Sequence, residues 1–168
     1  PLPPILPVRR DGALALSFAQ ERLWFLDQLD PGSPVYNVPF ALALAGQLDV
    51  PALAAALGGI VRRHEVLRTT FVRDAGSGRP VQAIAPPAPV PLPVIDLTLL
   101  EEGSRAAEAE RRTAIEARRP FDLAAGPLCR FGLLRLAEGE HRLLVNLHHA
   151  VCDGGSIDVF LRELAALY

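Results

Sequence analysis

The sequence predicts a mixed α/β domain with helices and strands interleaved, and three observations predict it. The 168 residues come close to the roughly 150 of a single domain. Segments with helical spacing of apolar residues alternate with short, strand-like runs. One run, with Leu143, Leu144, Val145 and Leu147, is apolar almost throughout, the mark of a strand covered on both faces. Half of the residues are hydrophobic and 21% are charged, enough to bury a core and unlike a disordered tail. No internal repeat is visible.

Composition excludes several classes. Seventeen basic against 19 acidic residues leave a net charge of −2, whereas non-specific nucleic-acid binding needs a basic excess. Two cysteines are too few for a disulfide framework, so a reducing, cytoplasmic compartment is expected. There is no run of about 18 uncharged apolar residues and no basic-then-apolar leader, so neither a membrane span nor a secretion signal is expected. All basic residues are Arg and Ala is abundant, which reads as high-GC bacterial coding. The opening Pro1 and the end within an apolar, helix-like run lead us to expect a piece of a longer polypeptide.

Element by element, four prolines in the first seven residues predict an extended interdomain linker over 1–14. Ser17 and Gln20 form a capping box for a helix ending near Leu29, before the breaker Asp30-Pro31-Gly32. Within that helix Trp24 and Phe25 are expected in the core. Residues 35–45 alternate as a strand. Asp49 caps a second helix with Pro51 in its first turn. Its apolar face holds Leu53, Leu57, Ile60, Val61 and Leu67, with His64 expected buried among them. Thr69–Arg73 and 80–85 pair as a hairpin, and the Pro-rich stretch from Ala85 to Pro93 is a rigid connector. Residues 98–118 form a charged surface helix. Leu128–Leu136 and His141–His149 are strands joined by a tight turn, and a final helix starts at Ser156.

Chemistry concentrates between that last strand and helix, in His148-His149-Ala150-Val151-Cys152-Asp153-Gly154-Gly155, where reacting groups of open α/β sheets collect. An imidazole there can act as a general base near neutral pH. Asp153 could orient it, or pair with an Arg and hold the loop. Gly154 and Gly155 permit a sharp turn and leave N–H groups at a helix start to stabilise an oxyanion. Three other readings compete on spacing alone. One is a packed and an exposed His beside an ordinary turn. Another is a metal site of His148, His149, Cys152 and Asp153, although structural zinc draws ligand pairs from separated segments. The third is a Cys152 nucleophile with His149 as base, although triad partners come from distant parts of a fold. Cys129 and His141 carry no signal.

The stretch His148–Gly154, HHxxxDG, resembles the signature of the chloramphenicol-acetyltransferase-like acyltransferases, which include the condensation domains of nonribosomal peptide synthetases. Two further motifs stand in order. Ser17 to Leu26 is similar to SxAQxRLWxL, and Arg63 to Phe71 is similar to RHExLRTxF. The resemblance covers residues 15–168 and matches the N-terminal lobe of a two-lobe domain, with a mixed sheet flanked by helices and an active site between the lobes. It implies amide-bond formation between aminoacyl or peptidyl thioesters carried on 4'-phosphopantetheine arms, with no directly bound cofactor and no metal. The implied partners are donor and acceptor peptidyl carrier proteins, the C-terminal lobe and an adenylation domain.

Residue by residue, the resemblance makes His149 catalytic and His148 supporting. Asp153 becomes a structural anion paired with Arg63 or Arg68, so that Asp153→Ala would lower folding yield more than it damages chemistry. His148 argues against the cyclising relatives, which carry Asp there. Many relatives joining two L-configured residues read DGWS, whereas Gly155 stands here in place of Trp. Other acyltransferases or epimerisation domains of the superfamily, and a non-catalytic module that docks carrier proteins, remain as alternatives.

Overall fold

A computed structural model describes Arg10 and residues 12–168. The linker expected over 1–14 lies mostly outside these residues, but its last residue is part of the fold: Leu14–Ala15 is strand β1. The order continues α1 (Phe18–Leu29), β2 (Asn37–Ala45), α2 (Val50–Arg63), β3 (Thr69–Arg73), β4 (Pro80–Ile84), β5 (Val94–Asp96), α3 (Glu102–Arg118), β6 (Cys129–Ala137), β7 (Glu140–His148) and α4 (Gly154–Leu167). The mixed α/β class is as expected. Strand β5 has no sequence signal, being three residues at the end of the proline-rich connector.

Two sheets result. The smaller has the order β1-β4-β3 and the larger β2-β7-β6-β5. β2, β7 and β6 are antiparallel neighbours, while β5 runs parallel to β6. Ala137 pairs with Glu140, so Glu138-Gly139 is the whole β6–β7 loop. Gly139 has φ of +72°, a conformation open to glycine at little cost.

Strand alternation assigns the two faces of the larger sheet. Phe131 and Leu133 of β6, with Leu143, Val145 and Leu147 of β7, pack under α2 and α4 in the main core. The intervening Leu134 and Leu144 meet Ala109 of α3 and Leu97 in a second, smaller cluster. β7 is therefore covered on both faces, and Leu143 to His148 are all buried. Each such leucine withdrawn from water contributes about 1.5–3 kcal/mol.

α2 follows the sequence up to Arg63, while Leu67, expected on its apolar face, lies in a separate 3-10 turn, Glu65–Arg68. The Ala52 N–H donates to Asp49 Oδ1 at 2.9 Å, and Leu53, Ala56, Leu57, Ile60 and Val61 are buried. α4 crosses it with close contact, and both ends of α2 are tied to α4. The Asp49 N–H donates to Tyr168 Oη at 3.0 Å, and Glu163 meets both Arg63 and His64. This corrects the buried setting expected of His64. The residue ends α2, keeps about a third of its side chain exposed, and binds Glu163 Oε2 through Nε2 at 2.8 Å. The two basic partners hold the Glu163 carboxyl below its ordinary range.

α1 departs most from expectation. None of its residues is fully buried among the described residues. Trp24 packs against the core with Arg73 stacked over its ring at 4.5 Å, but Phe25 is 57% and Phe18 93% exposed. A single turn of apolar spacing does not say whether another element lies opposite. Among the described residues, no helix is long and apolar enough to cross a membrane.

Candidate active site

β7 carries its last apolar residues through the core and delivers two histidines to unlike surroundings. His148, its terminal residue, is 4% exposed. The rings of Tyr36 and Phe121 stand edge-on to it, at 6.4 and 6.0 Å between centroids. The Ala150 N–H donates to His148 Nδ1 at 3.1 Å, so the neutral ring carries its proton on Nε2. Burial, with a smaller contribution from His149, pushes the His148 pKa down to about 4, because the low-dielectric interior disfavours the cation.

One residue on, the chain leaves the sheet and His149 is exposed. Its N–H donates to the Tyr36 carbonyl at 2.9 Å, which anchors the backbone. Its ring Nδ1 lies 2.9 Å from the Cys152 carbonyl oxygen. A carbonyl only accepts, so Nδ1 carries the proton and Nε2 presents a lone pair. The ring lines an open cleft of about 580 Å³ with Ser17, Gln20, Arg22, Tyr36 and Ser156.

Gln20 is the residue that sequence reasoning undervalued. The Ser17 N–H donates to its Oε1 at 3.0 Å, as the capping box requires, while its Nε2 donates to the Ala150 carbonyl at 3.3 Å. One amide thus caps α1 and ties it to the loop behind His149. The capping-box signal located Gln20 but could not disclose a partner 130 positions away. Tyr36 was missed entirely.

Asp153 is not brought to either arginine. Arg63 pairs with Glu163 at 3.0 Å, and Arg68 pairs with Glu65 at 3.2 Å and donates to the Ala85 carbonyl. Asp153 instead caps α4. Its Oδ1 accepts from the Ser156 N–H at 2.9 Å and from Ser156 Oγ at 2.7 Å, and Ser156 Oγ accepts from the Asp153 N–H. These bonds to Ser156 hold the carboxyl below its ordinary range. A short acidic residue before a helix start satisfies free N–H groups directly, and here that local demand prevails over a long-range ion pair.

The glycines also differ from expectation. α4 begins at Gly154 rather than Ser156, and neither Gly154 nor Gly155 has positive φ. Neither is among the residues lining the His149 cleft, whose edge on this side is formed by their neighbours Asp153 and Ser156. A Cβ at Gly155 would meet only Asp153 Oδ1, at 3.6 Å.

Cys152 is buried, and burial together with Asp153 pushes its thiol up to about 11. It is a thiol at neutral pH, and His149 faces its carbonyl rather than its sulfur. Cys129 is likewise buried and is raised to about 12. Among the described residues no three His, Cys, Asp or Glu side chains converge as a metal site.

Comparison with known proteins identifies the family. Residues 10–168 match the family described as Condensation domain. The chain is 53% identical over 165 residues to chondramide synthase of Chondromyces crocatus and 49% identical over 166 residues to a phosphinothricin tripeptide synthetase of Streptomyces viridochromogenes. Each match covers 98% of this chain, but only 4% and 15% of those proteins. The solved first condensation domain of the CDA synthetase superposes with a TM-score of 0.83 at 32% identity, over 94% of this chain and 40% of that one. A match running through all three motifs and nearly every described residue leaves one conclusion: the chain belongs to the condensation-domain family.

Proposed function

We propose that residues 15–168 form the N-terminal lobe of a condensation domain, in which His149 serves amide-bond formation between carrier-bound aminoacyl or peptidyl thioesters. One observation carries the reading: an exposed imidazole in an open cleft, its Nδ1 engaged by the Cys152 carbonyl and its Nε2 lone pair free. The acceptor amine attacks the thioester carbonyl carbon, forming a C–N bond. Nε2 takes the proton that the amine nitrogen sheds, the C–S bond breaks, and the leaving thiolate takes that proton back from Nε2, which restores the neutral imidazole. Orientation of the amine contributes as much as proton removal, since a neutral amine is already nucleophilic.

His148 is a positioning residue, neutral and packed between the rings of Tyr36 and Phe121 at the root of the loop that carries His149. Asp153 and Gly154 hold the start of α4, while Arg63 and Arg68 hold neighbouring elements. The substrates arrive on 4'-phosphopantetheine arms of donor and acceptor carrier proteins, and a C-terminal lobe supplies the facing wall.

The test is His149→Ala in the complete synthetase module, with carrier-loaded thioesters as substrates. Peptide formation falls by about 10²-fold or more. Unchanged turnover removes the proposed role. Equal rates with acyl-coenzyme A in place of the carrier-bound donor would move the protein to another acyltransferase class.

A further inference from the structure

Strand β6 is paired unevenly along its length. The His148 N–H donates to the Leu128 carbonyl at 2.9 Å. Antiparallel bonding recurs every second residue, so positions 130, 132 and 134 bond to β7. The backbone groups of 131, 133 and 135 therefore point to the opposite edge. There the Leu133 N–H donates to the Pro93 carbonyl, and the Arg135 carbonyl accepts from the Leu97 N–H, each at 2.9 Å. One step back along this parallel ladder, the Phe131 carbonyl would need an N–H from residue 93. That residue is a proline and has none. Among the described residues, neither the N–H nor the carbonyl of Phe131 has a partner on this edge, although the residue is only 6% exposed. Buried backbone groups are almost always satisfied.

Beside this edge the connector 85–93, held to the main core through Val90 and Leu92, leaves a cavity of about 690 Å³. All of Cys129–Leu134 line it. Side chains of a strand alternate between faces, so consecutive residues can share one cavity only along their backbone edge. The remaining walls are largely apolar, and the rim is cationic. Among the described residues, Arg68, Arg112, Arg119 and Arg130 line it with Glu116 as the only carboxylate. With their ion-pair partners included, Arg10, Arg68, Arg111, Arg112, Arg119 and Arg130 share Glu65, Glu108 and Glu116. Arg68 Nε is buried without a partner.

We propose that this slot is a peptide-binding site, in which an extended, apolar partner segment bearing carboxylate side chains adds to β6 as a strand. A strand offers the donor and the acceptor that Phe131 lacks, apolar side chains for the walls and anions for the rim. A fatty-acid carboxylate would answer the arginines but could not donate to the Phe131 carbonyl. A proline-rich segment has few N–H groups to give. The site shares no lining residue with the His149 cleft, so it stands or falls independently of the catalytic reading.

Hydrogen exchange on the 168-residue chain tests it first. The Phe131 amide should exchange about 100-fold faster than the paired Leu133 amide. Equal protection of the two in the free chain overturns the proposal. The probe is acetyl-Val-Glu-Val-Glu-Val-amide. It should slow Phe131 exchange and bind at least about tenfold tighter than its backbone N-methylated form, its Lys-for-Glu form or decanoate. Equal binding by any of the three overturns the proposal. Ala88→Trp, which places a bulky ring on the exposed connector wall of the cavity, should weaken peptide binding at least about tenfold without moving Tm; unchanged binding overturns the proposal.

Discussion

The end of β7 and the loop that follows it differ more than their adjacency suggests. His148 is enclosed by aromatic rings, neutral and depressed to about 4. His149 stands in an open cleft with one ring nitrogen engaged and the other free. The same side chain is packed into the interior in one place and meets solvent in the next, because the strand ends between them. Adjacent residues of a strand face opposite ways, and the loop converts that alternation into a division between interior and solvent.

Four experiments sharpen or break this contrast. The largest effect belongs to His149→Ala, which should lower peptide formation about 10²-fold or more in the complete module while leaving Tm of the isolated chain within a degree or two. A large loss of Tm would place His149 with the interior instead.

The second is pH dependence of stability. The folded state depresses the His148 pKa from 6.5 to about 4, so the fold favours the neutral ring. The corresponding stability is fully present above the unfolded value and is lost as pH falls from about 6.5 toward 4, by roughly 3 kcal/mol. Urea titrations across that window measure it. His148→Gln should flatten the slope, and an unchanged slope would assign the acid sensitivity elsewhere.

Third, Gln20→Leu removes the tie between α1 and the Ala150 carbonyl. A net hydrogen bond contributes about 1 kcal/mol, so kcat should fall about fivefold while the pH profile of the reaction keeps its shape. A shifted profile would mean that Gln20 acts on the imidazole rather than on its loop.

The smallest effect is Asp153→Ala, which removes the α4 cap. Tm should fall modestly and return with Asp153→Asn or Asp153→Ser, both good caps. Combined with Arg63→Ala or Arg68→Ala, the losses should add. Strong coupling with either arginine would restore the long-range pair expected from the family resemblance.

How much was legible depended on the range of the interaction. The caps at Ser17 and Asp49 were readable because donor and acceptor lie three residues apart. The strand character of 141–148 was readable because burial on both faces demands an apolar run. The Asp153–Arg pairing failed because spacing offers no means of choosing between a local cap and a distant cation. His64 was misplaced because its fate depends on Glu163, 99 positions away.

By itself, the sequence determined the class of the fold, the starts of α1 and α2, the order of the three motifs and the segment where the histidines stand, since each follows from local periodicity, capping or a short pattern. Only the tertiary structure decided which histidine meets solvent, which tautomer each one holds, that Gln20 braces the loop, and that a proline leaves one stretch of β6 unpaired. Those outcomes depend on what lies opposite each residue in space, and contacts between residues far apart in the chain leave no periodic trace in it.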